Sequence, residues 1–407
     1  MKTQAAILTF AFVLCASAEN WTRFRGPNGS GLSGDSIPAK WSEKNFKWRT
    51  SLPGVGHGSP VVWGDRVFLL AGNEENADRI PVCVDAKSGK ILWTKTIGTK
   101  KHRHHRQNTF ASSTPAVDAE HVYFTWGTPE KLTLLAYTHD GKQVWDADLG
   151  PVKGGHGFGA SPVVVGKLLV LNNDQDGKST LIAVDRRTGQ VRWSIPRGSK
   201  RLTYSTPCLY RNQKGEDELI FTNWQHGITA VDPKTGNVLW ENDDVFGKPS
   251  SERAIGSPVI AGDLVIGSCG FVTKLKHVVA LRPIPGQSKA EEVWRIERSV
   301  PHIPTPIVVG KFIYLWNDQG ILTCANNQTG EVYWNERLGG EGYSSAVSAD
   351  GKIFRIGRDG EVQVIPANGK FEVIATNDLN EKCFGTPAIA NGVMFIRTFE
   401  NLVAISN

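Results

Sequence analysis

Short runs of apolar residues alternate with tight polar turns along most of the chain, and this pattern predicts β-strands rather than helices. One form is a pair of apolar strands joined by a turn with Gly or Asp and entered through Ser/Thr-Pro, as in GSPVVWGDRVFLL from Gly58. Proline at the first position of a strand costs no ladder hydrogen bond. The form returns, with small variations, from Ser113, Ala160, Ser205, Gly256, Pro304, Ser344 and Gly385.

A second form follows the first and supplies a strand, a turn with Gly, and a strand that carries tryptophan. Residues 84–93, VDAKSGKILW, show it clearly. Close copies are VDRRTGQVRW, VDPKTGNVLW and ANNQTGEVYW, and looser copies end at Trp145 and Trp294. A period of this size indicates a repeat architecture. The two forms together give four antiparallel strands, which make one propeller blade.

The repeats predict an all-β, eight-bladed β-propeller over residues 44–407. The last unit, from Gly385, has only three strands, whereas the strand at Trp48 has no unit before it. We expect the Trp48 strand to complete the last blade and so cover a free sheet edge. KFEVIA near Val373 is the predicted outer strand of the seventh unit. Seven blades would require one of the eight units to be a false positive, and the seventh is the weakest.

The N-terminus predicts an exported bacterial protein. Residues 1–18 have a basic end at Lys2, an apolar core and a small-residue cleavage site at Ala18, as in a signal peptide. Leu14 before Cys15 argues against the lipoprotein alternative. We expect a periplasmic or extracellular chain that begins with a polar lead-in over residues 19–43, whose aromatic residues could pin it to the body.

Composition narrows the partner classes. The 407 residues carry a net charge of +6 without a basic stripe interleaved with aromatic residues, so nucleic acid is not expected. No other apolar run approaches the length of a membrane span. We expect a monomer. The mature chain's cysteines are isolated and odd in number, which favours small buried apolar side chains over metal ligands or disulfides. They are Cys83, Cys208, Cys269, Cys324 and Cys383.

Strand alternation places the short turns on one face of the propeller and the long connections on the other. Loops held by a rigid scaffold commonly carry function. Several polar and aromatic residues lie in the approaches to the innermost strands, and a ring of such groups suits an anionic or polar ligand. The alternative is that they only line a wet channel. The candidates are His57, Asn108, His156, Tyr204, Arg253, His302 and Tyr343.

Two further stretches have candidate chemistry. Residues 100–106, KKHRHHR, are the densest charged run, and Lys100, Lys101, Arg103 and Arg106 could attract an acidic protein, phosphate or an anionic polymer. Their histidines could instead take a metal, as could three histidines near the channel axis, and a solvated loop is the alternative. Residues 172–177, NNDQDG, could hold Ca²⁺ but lack the spacing of a calcium loop, which favours a polar turn. We assign no metal site and no catalytic residue.

The D-x-x-T-G-x-x-x-W pattern, preceded by the Ser/Thr-Pro strand, resembles the pyrroloquinoline-quinone-type propeller repeat over about residues 40–407. That repeat occurs in quinoprotein dehydrogenases and in non-catalytic assembly proteins of the BamB type. The resemblance implies that the tryptophans dock between neighbouring blades rather than against a cofactor. These are Trp48, Trp93, Trp145, Trp193, Trp240, Trp294 and Trp334.

The resemblance leaves two functions open. Catalytic members combine a vicinal disulfide with a calcium site and an Asp base, whereas this chain has no adjacent cysteines. The favoured expectation is a non-catalytic propeller that binds a protein or an anionic polymer through its long-loop face. The alternative is a quinone-dependent dehydrogenase, holding pyrroloquinoline quinone (PQQ) with Ca²⁺, that oxidises an alcohol or a sugar.

Overall fold

The computed structural model describes residues 20–247, 253–271 and 276–407. The predicted signal peptide, residues 1–18, lies outside the described residues. Apart from two 3-10 helices, Pro27–Gly29 and Glu43–Asn45, the regular structure described is β-strand. The strands are β1 (Leu32–Ser33), β2 (Phe46–Ser51), β3 (Val61–Trp63), β4 (Arg66–Gly72), β5 (Arg79–Asp85), β6 (Ile91–Thr94), β7 (Ala116–Val117), β8 (His121–Gly127), β9 (Leu132–Thr138), β10 (Gln143–Asp148), β11 (Val163–Val165), β12 (Leu168–Asn173), β13 (Ser179–Asp185), β14 (Val191–Arg197), β15 (Cys208–Arg211), β16 (Asp217–Asn223), β17 (Gly227–Val231), β18 (Val238–Asn242), β19 (Val259–Ala261), β20 (Leu264–Gly270), β21 (Lys276–Arg282), β22 (Glu291–Ile296), β23 (Ile307–Val309), β24 (Phe312–Trp316), β25 (Ile321–Asn326), β26 (Val332–Arg337), β27 (Val347–Ala349), β28 (Lys352–Ile356), β29 (Glu361–Pro366), β30 (Ala375–Asp378), β31 (Ala388–Ala390), β32 (Val393–Arg397) and β33 (Asn401–Ser406).

These strands form eight antiparallel blades, which confirms the predicted eight-bladed propeller. Blades 1 to 7 take consecutive groups of four strands, from β3–β6 to β27–β30, and blade 8 combines β31, β32 and β33 with β2. The buried apolar side chains lie between neighbouring blades, where the two inner faces pack together. No helix in the described ranges is long and apolar enough to cross a bilayer.

The first long strand closes the ring as predicted. β2 pairs antiparallel with β33, with Trp48 opposite Ala404 and Thr50 opposite Leu402. One blade therefore contains strands from both ends of the chain. Closure covers the outer edge of β33, which would otherwise present unpaired backbone groups to another chain.

The predicted outer strand of blade 7 was misplaced. β30 begins at Ala375, at the end of the KFEVIA stretch, and Phe371 and Val373 are exposed. The Ile374 N–H donates to the Val364 carbonyl at 2.8 Å, but the ladder does not continue along β29. Pro366 lacks the N–H that would extend this side of the ladder, so the strand starts later than its apolar pattern suggests.

The residues before the propeller pack closely against it. Trp21 is fully buried and forms an isolated antiparallel β-bridge with Val62 of blade 1. The Val117 N–H of blade 2 donates to the Thr22 carbonyl at 2.9 Å, and Asn28 Nδ2 donates to the Leu209 carbonyl of blade 4 at 2.8 Å. β1 then adds a fifth, parallel strand to blade 7. Residues 20–33, which we call the plug segment, therefore span the short-turn end of the channel.

In six of the blades a repeated tryptophan is hydrogen-bonded to the next blade. Trp93 Nε1 donates to the His139 carbonyl at 2.9 Å, in the turn of the following blade. The same bond joins Trp48 to Ala86, Trp145 to Arg186, Trp193 to Pro233, Trp294 to Asn327 and Trp334 to Gly369. Trp240 differs, because its indole donates to the Glu218 carboxylate of its own blade at 2.8 Å. It still packs in one apolar cluster with Ala290 of blade 5.

Candidate binding site at the channel mouth

A Ser or Thr at the entry to each innermost strand lies at the waist of the channel and joins neighbouring blades. It precedes proline in every blade except blade 7, where Ala346 follows Ser345. The Ser59 N–H donates to Thr114 Oγ1 at 2.9 Å, and the Thr386 N–H donates to Ser59 Oγ at 2.9 Å. Such bonds, from 2.9 to 3.0 Å, cross seven of the blade junctions. We call these residues the hydroxyl ring: Ser59, Thr114, Ser161, Thr206, Ser257, Thr305, Ser345 and Thr386.

A cavity of about 620 Å³ opens above the hydroxyl ring on the long-loop face. Ligand cavities commonly have volumes of about 300–1,000 Å³, so its size suits a small ligand or a short chain segment. The structure brings all seven predicted channel-mouth residues to its lining. They are His57, Asn108, His156, Tyr204, Arg253, His302 and Tyr343, one from the approach to each of blades 1 to 7.

The prediction missed Phe384, Ile255 and Ile303, which also line the cavity. Each lies two residues before a hydroxyl-ring residue, which is the position that His57 and Tyr343 hold in their own blades. This constant offset from the Ser/Thr-Pro motif was visible in the sequence. The position carries aromatic, aliphatic or small side chains in different blades, so a selection of polar residues alone does not identify it.

One side of the cavity is a wall of stacked rings, His57, Tyr343 and Phe384, which we call the aromatic wall. The His57 and Phe384 ring centroids are 4.1 Å apart at an interplanar angle of 28°. Those of Tyr343 and Phe384 are 6.1 Å apart at 24°. Burial, with the nearby Arg397 charge, lowers the pKa of His57 to about 3, so its ring is neutral. The wall presents uncharged faces to a bound group.

Arg253 supplies a buried positive charge on another side. Arg253 is only 6% exposed, and its Nη2 lies 3.1 Å from His156 Nδ1. Because a guanidinium only donates, that nitrogen must accept, and His156 is neutral with its proton on Nε2. Burial, followed by the charge of Arg253, lowers the pKa of His156 to about 4. His156 is also held by its stack on His105, with centroids 4.8 Å apart.

Both lining carboxylates already have partners. Asp318 accepts the backbone N–H groups of His302 and Ile303 at 2.9 Å each, and Lys276 Nζ lies 3.3 Å from it. Glu341 pairs with Arg358 at 2.9 Å. Among the described residues, by contrast, no carboxylate lies within ion-pair distance of Arg253 or Arg106. The cavity is therefore a positively charged site that favours anions.

His302 leaves one polar atom without a partner. The residue is 5% exposed, and its Nδ1 has no hydrogen-bond partner among the described residues. Burial lowers the pKa of this imidazole to about 4, so the ring is neutral at physiological pH. A buried nitrogen without a partner is costly, and a ligand in the cavity could satisfy it.

The remaining candidates hold the approaches in place. Tyr204 Oη donates to the Gly157 carbonyl at 3.1 Å, and Asn108 Nδ2 donates to the His156 carbonyl at 2.6 Å. Tyr343 Oη accepts from Gln107 Nε2 at 2.6 Å, so the loop before blade 2 reaches blade 7 across the mouth. These groups shape the cavity and leave fewer of their polar atoms for a ligand.

The basic residues of the KKHRHHR run lie in two different places in the fold. Arg106 lines the cavity, whereas Lys100, Lys101 and Arg103 are exposed on the loop outside it. The histidines of the run hold the loop down: His104 Nε2 lies 2.9 Å from Glu74, and His102 packs edge-on against Phe110. The described residues contain no cluster of three or more ligating side chains that suits a metal ion.

The first four residues of the NNDQDG stretch, 172–175, are buried, whereas Asp176 is exposed. Asp174 is 1% exposed, accepts from Asn223 Nδ2 at 2.7 Å and lies 3.4 Å from Arg197 Nη2. Gln175 Oε1 accepts the Lys153 N–H at 2.7 Å. Asp174 therefore joins blade 3 to blade 4, whereas Gln175 fastens the approach to blade 3.

The residues of the cavity do not fit a calcium-held quinone. A calcium site needs several converging oxygens that include free carboxylates. The described lining offers only Asp318 and Glu341, and each is neutralised by its own cation. All five described cysteines are buried and widely separated in sequence, so none of them forms a vicinal pair with another.

Burial raises the pKa of four of these thiols to about 12, so they are protonated at neutral pH. They are Cys83, Cys208, Cys324 and Cys383.

The strands and the cavity define a closed eight-bladed propeller of PQQ-like repeats with an axial cavity. A family model described as "Outer membrane protein assembly factor BamB" matches residues 76–336 and 278–371, more than half of the chain. The chain belongs to this family. Comparison with curated protein sequences gives no match.

Solved structures support the same fold. BamB from Moraxella catarrhalis is 13% identical with a TM-score of 0.63, covering 88% of this chain and 98% of that one. Quinohemoprotein alcohol dehydrogenase from Comamonas testosteroni is 12% identical with a TM-score of 0.66, covering 95% of this chain and 80% of that one. Saccharomyces cerevisiae Sqt1 is 11% identical with a TM-score of 0.62, covering 92% of this chain and 100% of that one. At these identities the similarity concerns the fold alone, since one fold carries many functions.

Proposed function

We propose that this chain is an exported, non-catalytic propeller that binds an acidic partner protein through its long-loop face, centred on the axial cavity. The observation that carries the proposal is the charge balance of the cavity. Arg253 and Arg106 have no carboxylate partner among the described residues, whereas both lining acids are satisfied. A concave, positively charged site attracts negatively charged partners and speeds their association.

The alternative, a quinone-dependent dehydrogenase, has weaker support. It shares the fold with the Comamonas testosteroni enzyme, but the cavity lacks the carboxylate set that Ca²⁺ would require. The purified chain, supplied with PQQ and Ca²⁺, should not reduce a redox dye in the presence of alcohols or sugars. Sustained turnover would overturn the non-catalytic proposal.

Charge reversal tests the binding face. We expect Arg106→Glu to reduce capture of an acidic partner in pull-downs from an exported-protein extract, and more strongly than Lys100→Glu or Arg103→Glu. Arg106 lines the cavity, whereas the other two lie outside it and are screened by salt. Lys142→Glu, in an exposed short turn on the opposite face, is the matched control. Equal capture by Arg106→Glu and Lys142→Glu would remove the cavity from the proposal.

A further inference from the structure

The axial cavity has a floor. Phe24 of the plug segment, which spans the short-turn end of the channel, is among its lining residues. Arg25 fastens this segment to the far side of the channel by donating to the Pro306 carbonyl at 2.9 Å and the Ala346 carbonyl at 3.2 Å. Arg23 donates to the Pro207 carbonyl of blade 4. Because the plug segment is bonded to blades on several sides, a polymer cannot pass through the channel.

The plug segment carries two buried arginines, neither of which is among the described lining residues of the cavity. Arg23 and Arg25 are 7% and 0% exposed and have no carboxylate partner among the described residues. Burial lowers the pKa of these two groups to about 10 and about 9, so both remain charged at neutral pH. Arg397, also fully buried, lies beside His57 and, among the described residues, donates to the Gly58 and Leu70 carbonyls. These three arginines are not among the described lining residues of the cavity, so an anion there would not contact them, but their positive field adds to that of Arg253 and Arg106.

A second observation points to a ligand at the same place. His302 Nδ1 is buried, lies at the cavity and has no partner among the described residues. Arg253 lines the same cavity and is fixed in orientation by its bond to His156. A carboxylate bound at Arg253 would gain a charge-assisted hydrogen bond, which is stronger than a neutral one. A peptide group beside that carboxylate could supply the hydrogen bond that His302 lacks.

We propose that the cavity is a blind receptor for the carboxyl end of a partner polypeptide, with the terminal carboxylate at Arg253 and the last side chain against the aromatic wall. The inference rests on the proposed function and specifies which part of the partner enters. A chain that enters a closed cavity must either end there or turn back. Turning back needs room for two strands, each about 4.8 Å from the next, whereas an end needs room for one.

The aromatic wall favours a flat or apolar last side chain. Its three rings present uncharged faces, and stacking or apolar contact with them excludes water from the cavity. A low local dielectric strengthens the attraction between a carboxylate and a guanidinium. Arg106 at the rim would contact acidic side chains further from the end of the same chain.

Short peptides test the inference directly. Acetyl-Gly-Gly-Tyr with a free carboxylate should bind the purified chain at least about tenfold more tightly than the same peptide with a terminal amide, as measured by isothermal titration calorimetry. An amidated peptide with an internal Asp should bind no better than the plain amide. Equal affinity of the free acid and either amide overturns the inference, as does tighter binding of an oligomer of a uronic acid.

A second experiment replaces Arg253 and repeats the peptide titrations. Arg253→Met should abolish the difference between the free acid and the amide, whereas Arg253→Lys should keep part of it. Arg211→Met, an exposed position at the opposite end of an innermost strand, is the matched control and should retain the full difference. The thermal unfolding midpoint of each variant shows whether it is folded. A folded Arg253→Met variant that still prefers the free acid contradicts the assignment.

The experiments distinguish a failure of the carboxyl-end inference from a failure of the proposed binding face. If peptides do not discriminate but partner capture still depends on Arg106, the end-on inference is wrong and the binding face stands. If capture is also insensitive to Arg106→Glu, the proposed function fails as well.

Discussion

At the scale of single residues, the turn glycines and the tryptophans form one device. Gly89 has φ of +72°, and a Cβ there would lie 2.6 Å from the Trp48 ring of the preceding blade. The glycine therefore both permits the turn and makes room for the indole that docks on it. Gly64, in another tight turn, also has a positive φ of +56°, but a Cβ there would meet nothing within 4 Å.

These two glycines allow backbone strain to be separated from packing. We expect Gly64→Ala to lower the free energy of unfolding by about 1 kcal/mol, since both positions require the left-handed region. Gly89→Ala should cost about 1–3 kcal/mol more because the added methyl displaces Trp48. Urea unfolding of both variants measures the difference. Equal losses would show that the indole contact contributes little.

Buried histidines should make the fold sensitive to acid. Burial lowers the pKa of His57 to about 3 and that of both His156 and His302 to about 4. In the unfolded chain each histidine titrates near its ordinary value of about 6.5. The unfolded state therefore binds more protons between about pH 6.5 and pH 4, and stability falls as the pH falls through that window.

The His302→Gln variant isolates one of these contributions. We expect its thermal unfolding midpoint to fall less steeply than that of the unaltered chain between pH 6.5 and pH 4, because glutamine does not titrate. The contribution removed is at most about 3 kcal/mol, from the size of the pKa change. Identical slopes for the two proteins would show that His302 is not buried as a neutral ring.

At the scale of elements, the innermost strands explain the Ser/Thr-Pro motif. The residue before proline is restricted to an extended conformation. In that conformation its hydroxyl accepts the backbone N–H of the preceding blade, as Thr386 Oγ1 accepts from Ser345 at 3.0 Å. Neither residue is more than 3% exposed, so water cannot replace the bond.

The hydroxyl ring should therefore contribute to stability through its acceptors. Thr386→Val keeps the shape of the side chain but leaves the Ser345 N–H buried without a partner, which should cost about 1–3 kcal/mol. Thr386→Ser keeps the acceptor and serves as the matched control, with a smaller loss from the missing methyl. Urea unfolding compares the two. A smaller loss in Thr386→Val than in Thr386→Ser would assign the motif to apolar packing instead.

At the scale of the whole molecule, the pairing of β2 with β33 joins the two ends of the chain. Phe46 at the start of β2 lies opposite Ile405, and Asn45 Nδ2 donates to the Ser406 carbonyl at 3.1 Å. The end of β33 is thus close to the start of β2, in the geometry of a hairpin. Termini that lie close together favour circular permutation.

A permuted chain tests the closure. A chain that begins at Pro53 lacks β2 and exposes the edge of β33, so we expect it to aggregate in size-exclusion chromatography with light scattering. A chain that begins at Pro53 and carries residues 44–52 after Asn407, through a short turn, should aggregate markedly less, because β33 is paired again. Both lack residues 20–43, so the comparison isolates β2. Equal behaviour of the two chains would contradict the role of ring closure.

The repeat in the sequence was sufficient to determine the architecture. A blade is a local unit of four consecutive strands, so its apolar runs, turn glycines and tryptophans can be identified without knowing what packs where. The same local pattern explains why the channel-mouth candidates were found together. His57, Tyr204 and Tyr343 lie in equivalent approaches, and equivalent positions in a closed ring face the same axis.

Only the tertiary structure decided which of these groups are available to a ligand and what closes the channel. The pairing of Asp318 with Lys276, and of Arg253 with His156, joins residues 42 and 97 positions apart in the chain. The floor includes Phe24, in a segment that the sequence predicted to be a polar lead-in pinned to the body by its aromatic residues, with no indication that it would line the channel. Such contacts depend on how non-repeating loops meet across the axis, and a local repeat contains no information about that meeting.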